Sequence, residues 1–199
     1  VPDSRPRGSR EATRHGFDIL ASATRPVILA GGGAVRSHAT NALIALAEAL
    51  NVPVTTTTMG KGVIPDDHPL HMGVAGWVGT VQANSALRNA DVILAVGTRF
   101  SETDTAGWVD GEVFSIPPTR LVHVDIDPVE IGRNYPVAQG IVGDVRSVLE
   151  DMAELAADSP QPDTTAWHTQ IEEWRTGWKQ EVEDSFNWDS SPIEPGRLT

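Results

Sequence analysis

The chain has no cysteine among its 199 residues. That excludes disulfides, cysteine-ligated zinc and thiol nucleophiles. Basic residues are scarce: 15 Lys and Arg stand against 27 Asp and Glu, a formal net charge of −12. With no basic stripe to neutralise phosphates, no nucleic-acid partner is expected. An anionic membrane surface is disfavoured for the same reason. No apolar run approaches the roughly 20 residues that a bilayer span needs. The opening stretch, VPDSRPRGSREATRH, lacks the apolar core of a signal peptide. The expectation is a cytoplasmic protein with no membrane partner. The first residue is Val1 rather than Met, which reads as a piece excised from a longer chain.

What is present is a repeated alternation. Short apolar runs such as RPVILAGGG and DVILAVGTRFS end in glycine and are followed by helical spacing, as in HATNALIALAEALN and TVQANSALRNA. The strands lack period-2 polarity, so they are buried on both faces, which implies a parallel sheet between helices. Six strands are expected, near 26–30, 53–57, 70–73, 91–96, 121–126 and 139–142. The fold class is therefore α/β: a doubly wound six-stranded parallel sheet with helices on both faces, plus a C-terminal helical arm. The expected organisation is a linker over 1–10, a nucleotide-binding-like domain over 11–157, and a helical arm and linker over 158–199. On the arm, Trp167, Ile171, Trp174 and Trp178 recur on one helix face. They are expected to pack on something apolar, with a partner outside the chain.

In a parallel sheet every strand ends on the same edge, and ligands bind in the crevice there. Gly31, Gly32, Gly33, Gly76 and Gly97 fall at such ends. Glycine there serves either a ligand's close approach or turn geometry alone. Arg99 is either a planar fork for a diphosphate or an exposed, carboxylate-paired arginine. The stretch LVHVDIDPVEIGRNYP carries Asp125 and Asp127. Asp125 reads as an acceptor for ribose hydroxyls or an adenine amino group, and Asp127, before Pro128, as a turn cap. GGGAVR is not the dinucleotide fingerprint, because Arg36 stands at its third glycine position. His68 reads as a turn residue and His123 as a satisfied strand histidine. The histidines show no metal spacing.

Four stretches, RPVILAGGGAVRS, NVPVTTTTMGKGVIPDDHPLHMGVAGWVGT, ADVILAVGTRF and LVHVDIDPVEIGRNYP, come in an order that resembles the central domain of thiamine-diphosphate-dependent enzymes of the acetolactate synthase-like group. The tail PIEPGRL resembles the connector into that family's C-terminal domain. The resemblance implies an excised middle domain of an enzyme acting on a 2-keto acid or related carbonyl substrate. It implies no catalytic and no metal-binding residues in this chain, which is expected to be inactive alone. Thiamine diphosphate and magnesium belong to sites outside it. The implied partners are the N- and C-terminal domains of the same polypeptide, in a homo-oligomer, dimer or tetramer.

In that group the domain holds FAD. The resemblance carries cofactor binding to Gly31, Gly32, Gly33, Thr57, Met59, Gly76, Gly97, Arg99, Asp125, Ile126, Asp144 and Val145. Two departures bear on it. The family's RFDDR is RFSET here, with Ser101 and Thr103, and its MHG is WVG, with Trp77 and Val78. Both fall where the isoalloxazine half would lie, so FAD, ADP or an empty crevice remain open. The alternative to an enzyme's middle domain is a stand-alone nucleotide-binding regulatory module. A sirtuin-like deacylase is disfavoured because its cysteine zinc site is missing.

Overall fold

The computed structural model describes residues 5–160 and 162–186. Six strands form one parallel sheet: β1 (Pro26–Ala30), β2 (Val54–Thr56), β3 (His71–Val74), β4 (Val92–Val96), β5 (Arg120–Asp125) and β6 (Gln139–Val142), in the order β3-β2-β1-β4-β5-β6. These are the six expected strands, within a residue or two at each end. The chain steps outward from β1 to β3, then returns to the other side of β1 for β4. The reversal therefore lies between β1 and β4, where a doubly wound sheet opens its crevice. Their register runs from Pro26 opposite Val92 to Ala30 opposite Val96.

The absence of period-2 polarity in the strands has the expected cause. On one face, Ile28, Val54, Leu94, Val122 and Ile141 pack beneath α1 (Arg10–Ala21), α3 (Thr40–Leu50) and α5 (Val145–Ala157). On the other, Val27, Leu29, Met72, Ile93 and Leu121 pack beneath α4 (Val81–Asn89), α6 (Thr165–Phe186) and Phe114 of the β4–β5 crossover. Between α1 and α3, α2 (Gly32–Arg36) is a single short turn following β1. Side chains at the helix starts satisfy free N–H groups: Thr80 accepts from Ala83 N at the start of α4, and Asp144 from Ser147 N at the start of α5. Asn51 ends α3 in the left-handed conformation, before Pro53. The β4–β5 crossover, residues 97–119, contains only a 3-10 turn at Thr103–Thr105. Its Phe100 and Phe114 rings replace the helix that would otherwise cover the sheet there.

The segments flanking the α/β alternation pack on it, residues 5–7 at one end and the first half of α6 at the other. In the stretch read as a linker, Arg5 Nη1 donates to Ser37 O at 3.0 Å and pairs with Asp144 at 3.1 Å, Asp144 N donates to Pro6 O, and Arg7 pairs with Asp151. The arm helix α6 folds back across the N-terminal ends of the strands. Trp167 Nε1 donates to Pro26 O at 3.1 Å, His168 Nε2 meets Asn51 O at 2.7 Å, and Arg175 Nη2 donates to His71 O at 2.8 Å. Trp167 and Ile171 are buried, and Trp174 meets Trp167 edge to face at 5.5 Å. The expectation that the tryptophan face needs an outside partner is therefore corrected for these three positions: the open side of β1–β3, next to α4, is their partner. Trp178 is half-buried.

Trp167→Ala removes a buried indole and its bond to the start of β1. It should cost about 3–5 kcal/mol of stability, read by urea unfolding. The exposed Glu173→Ala should change it by under about 0.5 kcal/mol. Equal curves for wild type and Trp167→Ala would mean that the arm does not pack on the sheet.

Candidate functional site

At the reversal point two glycine turns meet backbone to backbone. Gly31 N donates to Val96 O, and Gly33 N donates to Gly97 O, both at 2.9 Å. Gly97 has φ +62, and a Cβ there would lie 2.7 Å from Gly33 Cα. A Cβ on Gly31 would collide with the Gly97 carbonyl. These three glycines are needed for one chain segment to approach another. Gly32 differs: its nearest neighbour is Met59, whose own side chain is 71% exposed. Thr57 beside it is fully buried, and its hydroxyl accepts from Gly60 N at 3.1 Å.

The loops after β2 and β4 are tied together by a buried carboxylate that sequence reasoning passed over, and the loop after β3 joins them through backbone. Asp104 Oδ2 accepts from Ser101 Oγ at 2.6 Å, and its Oδ1 accepts from Thr58 N at 3.2 Å. Trp77 N donates to Thr103 O at 3.0 Å. Gly76, at φ +98, lies so close to the Thr103 carbonyl that a Cβ would collide with it. Asn84 holds both polar groups of Gly76, accepting from its N–H and donating to its C=O. The departure at Ser101 thus serves loop closure through its hydroxyl, Thr103 contributes only its backbone carbonyl, and Trp77 and Val78 stay 63% and 70% exposed. Asp104 sits in an ordinary Ser/Thr turn, SETDT, and only the crossing of the β2 and β4 loops gives it a role.

Arg99 projects from this edge. It is exposed and makes no ion pair among the described residues. Phe100 next to it is buried at φ +52, a conformation that costs a bulky residue about 1–3 kcal/mol. It is held by rings: Phe114, His123 and Tyr135 pack against it edge-on at 5.2–5.5 Å. Its carbonyl accepts from Trp108 Nε1 at 2.9 Å and from Asn134 Nδ2 at 3.2 Å. His123 is satisfied within its strand layer, bonded to Thr98 O at 2.9 Å, as its sequence context suggests. Burial pushes the Tyr135 hydroxyl up to about 12, with Asp110 adding to the shift, so this ring remains a neutral packing element.

The strand-end carboxylates are mostly occupied. Asp125 Oδ1 accepts from Asp127 N at 2.9 Å, and Asp127 Oδ1 accepts from Val129 N at 3.0 Å, two successive side-chain-capped turns. Asp127 is thus the turn cap expected of it. The second Asp125 oxygen accepts no bond among the described residues. Asp144 has none to spare: Oδ1 accepts from Ser147 N, and Oδ2 pairs with Arg5. Val145 is buried in the core, and Ile126 is 59% exposed. Among the described residues no group of three or more His, Asp or Glu is arranged to hold a metal ion. No helix among them is long and apolar enough to cross a membrane. Two open grooves, of about 510 and 810 Å³, lie beside α3 and α5 and beneath α6, and neither contains a residue expected at the nucleotide edge.

Of the twelve expected residues, then, Gly31, Gly33, Gly76, Gly97, Thr57, Asp144 and Val145 carry contacts within the fold. On the same edge Met59, Arg99 and Ile126 are exposed, Gly32 is half-buried, and Asp125 is buried with one oxygen that accepts no bond among the described residues. A guanidinium fork can take a diphosphate, a carboxylate oxygen can accept from a ribose hydroxyl or adenine amino group, and two apolar side chains can flank a ring.

Comparison with known proteins gives a consistent picture. The family described as thiamine pyrophosphate enzyme, central domain, matches residues 14–152. The chain is 40% identical over 181 residues to a probable acetolactate synthase large subunit of Methanocaldococcus jannaschii, covering 90% of this chain and 29% of that protein. It is 36% identical over 180 residues to an acetolactate synthase of Mycobacterium avium, covering 90% and 28%. To the acetolactate synthase isozyme 3 large subunit of Escherichia coli it is 37% identical over 172 residues, covering 84% and 29%. The chain spans less than a third of the length of these relatives.

The buried histidines predict a pH response. Burial lowers the His123 pKa, and the opposing Thr98 carbonyl, Asp125 and Glu130 do not outweigh it. Burial also lowers that of His71. Each is neutral in the fold, while the unfolded chain takes up its proton near the ordinary value of about 6.5. Below that pH the unfolded state binds more protons, so stability should fall with pH from about 6.5 down towards the lowered folded values, by at most about 1.4 kcal/mol per pH unit for each histidine. His123→Gln should flatten the slope of unfolding free energy between pH 7 and 5. A slope unchanged by the substitution would mean that His123 does not titrate on unfolding.

Proposed function

The chain belongs to the central-domain family of thiamine pyrophosphate enzymes, and on that footing we propose that it is the middle domain of a longer, acetolactate synthase-like enzyme acting on a 2-keto acid or related carbonyl substrate. The observation that carries this reading is the match along residues 14–152, joined to 36–40% identity with acetolactate synthases over 84–90% of the chain. Thiamine diphosphate and magnesium are assigned to flanking domains of the same polypeptide, in a cytoplasmic homo-oligomer. When bound there, the thiamine ring supplies the carbon nucleophile of the reaction.

This chain's own part is to hold an adenine nucleotide, FAD or ADP, along the carboxyl ends of its strands. Arg99 takes the diphosphate, the free oxygen of Asp125 takes a ribose or adenine donor, and Met59 and Ile126 flank the rings. Gly31, Gly33 and Gly97 bring the β1 and β4 turns close enough together to form the floor. Thr57, Asp144 and Val145 shape that floor from within. Two facts support the assignment: Arg99, exposed and without an ion pair among the described residues of a chain of net charge −12, and the switch point between β1 and β4.

Calorimetric titration with ADP and FAD tests the nucleotide role. Arg99→Ala should weaken binding by about 1.5–3 kcal/mol, the range for hydrogen bonds to charged groups. Equal affinity in wild type and variant would remove Arg99 from the site. The second test is activity. With thiamine diphosphate and magnesium, the purified 199-residue chain should not consume pyruvate, and turnover above a contaminant control would overturn the division of labour between domains.

A further inference from the structure

The loop after β5 reaches across to the loop after β4 through Asn134 and Tyr135. Asn134 Nδ2 donates to the Arg99 carbonyl at 2.9 Å and to the Phe100 carbonyl at 3.2 Å. An amide nitrogen carries two hydrogens, so both bonds are made together. Tyr135, next in sequence, packs against the Phe100 ring at 5.2 Å. From the other side Trp108 Nε1 donates to the same Phe100 carbonyl. Phe100 is a bulky residue at positive φ, which persists only where its surroundings over-determine it. The backbone that bears Arg99 is therefore clasped on both sides, while its guanidinium is left exposed and without an ion pair among the described residues.

We infer that Asn134 is a positioning residue of the nucleotide edge: by holding the Arg99 and Phe100 carbonyls it fixes the direction in which the Arg99 guanidinium meets a diphosphate. The inference rests on the nucleotide reading above. A guanidinium recognises phosphate through a planar fork, and that geometry gains from a fixed base. Without Asn134 the charge remains but its orientation loosens. Asn134 need not touch the nucleotide, since both of its amide hydrogens are spent on the two carbonyls.

ADP is titrated calorimetrically into the full chain, Asn134→Ala, Arg99→Ala and the double variant, with thermal melting followed alongside by circular dichroism. Asn134→Ala should weaken ADP roughly three- to tenfold and have no further effect once Arg99 is alanine. Asn134→Leu, which keeps bulk beside Tyr135 without the donors, should reproduce the loss, and it carries the test should the alanine variant unfold. Unchanged ADP affinity in these variants overturns the inference and leaves the nucleotide reading standing. So does an equal loss in the Arg99→Ala background, because Asn134 would then act on something other than Arg99. Failure of the unaltered chain to bind ADP overturns the reading and the inference with it.

Discussion

The contact on which the rest depends is that of backbone with backbone between Gly33 and Gly97. β1 and β4 are the two strands between which the winding reverses, so the turns that leave them point in different directions from one small area. Side chains at these positions would force the turns apart. With glycine, the β4 turn lies directly on the β1 turn, and the following segment starts at a set height above the sheet. Arg99, Phe100 and the buried Asp104 then follow within a few residues. Their positions are consequences of that approach.

The acidic character of the chain becomes intelligible at the same edge. A net charge of −12 would be a poor setting for a diphosphate if every strand-end carboxylate faced it. Most do not. Asp104 closes loops, Asp127 caps a turn and Asp144 is divided between a helix N-terminus and Arg5. These internal bonds occupy both oxygens of Asp104 and Asp144 and one each of Asp125 and Asp127, and Arg99 is left exposed and without an ion pair among the described residues. The carboxylates of LVHVDIDP therefore face mainly their own backbone.

The two chain segments outside the α/β alternation act at opposite edges. Residues 5–9 lie at the carboxyl edge, where Arg5 links the end of α2 to the start of α5. The helix α6 lies at the other, tethered to the starts of β1 and β3 and to the turn before β2. Its buried Trp167 and Ile171 complete the second core layer, which α4 alone is too short to cover. An apolar face that looks surplus in sequence is thus required by the width of the sheet.

Local pattern was enough to place the six strands, the α/β class and the edge on which glycines and Asp125 gather, because burial on both faces leaves an unbroken apolar run that needs no knowledge of neighbours. It was also enough to show Asp127 as a cap, since its partner Val129 is two residues away, and His123 as buried in an apolar strand, although the carbonyl that satisfies it, at Thr98, lies 25 residues off. Whether a glycine admits a ligand or another turn is a different kind of question. The answer for Gly33 lies at Gly97, for Gly76 at Thr103 and for Asp144 at Arg5. These partners come together only when the strand order is set. Asn134 is 35 residues from Arg99, and Trp167 is 141 from Pro26. Periodicity records which side of an element is buried. It carries no record of which loop crosses which, and here that crossing decides which strand-end groups are consumed by the fold and which are left exposed.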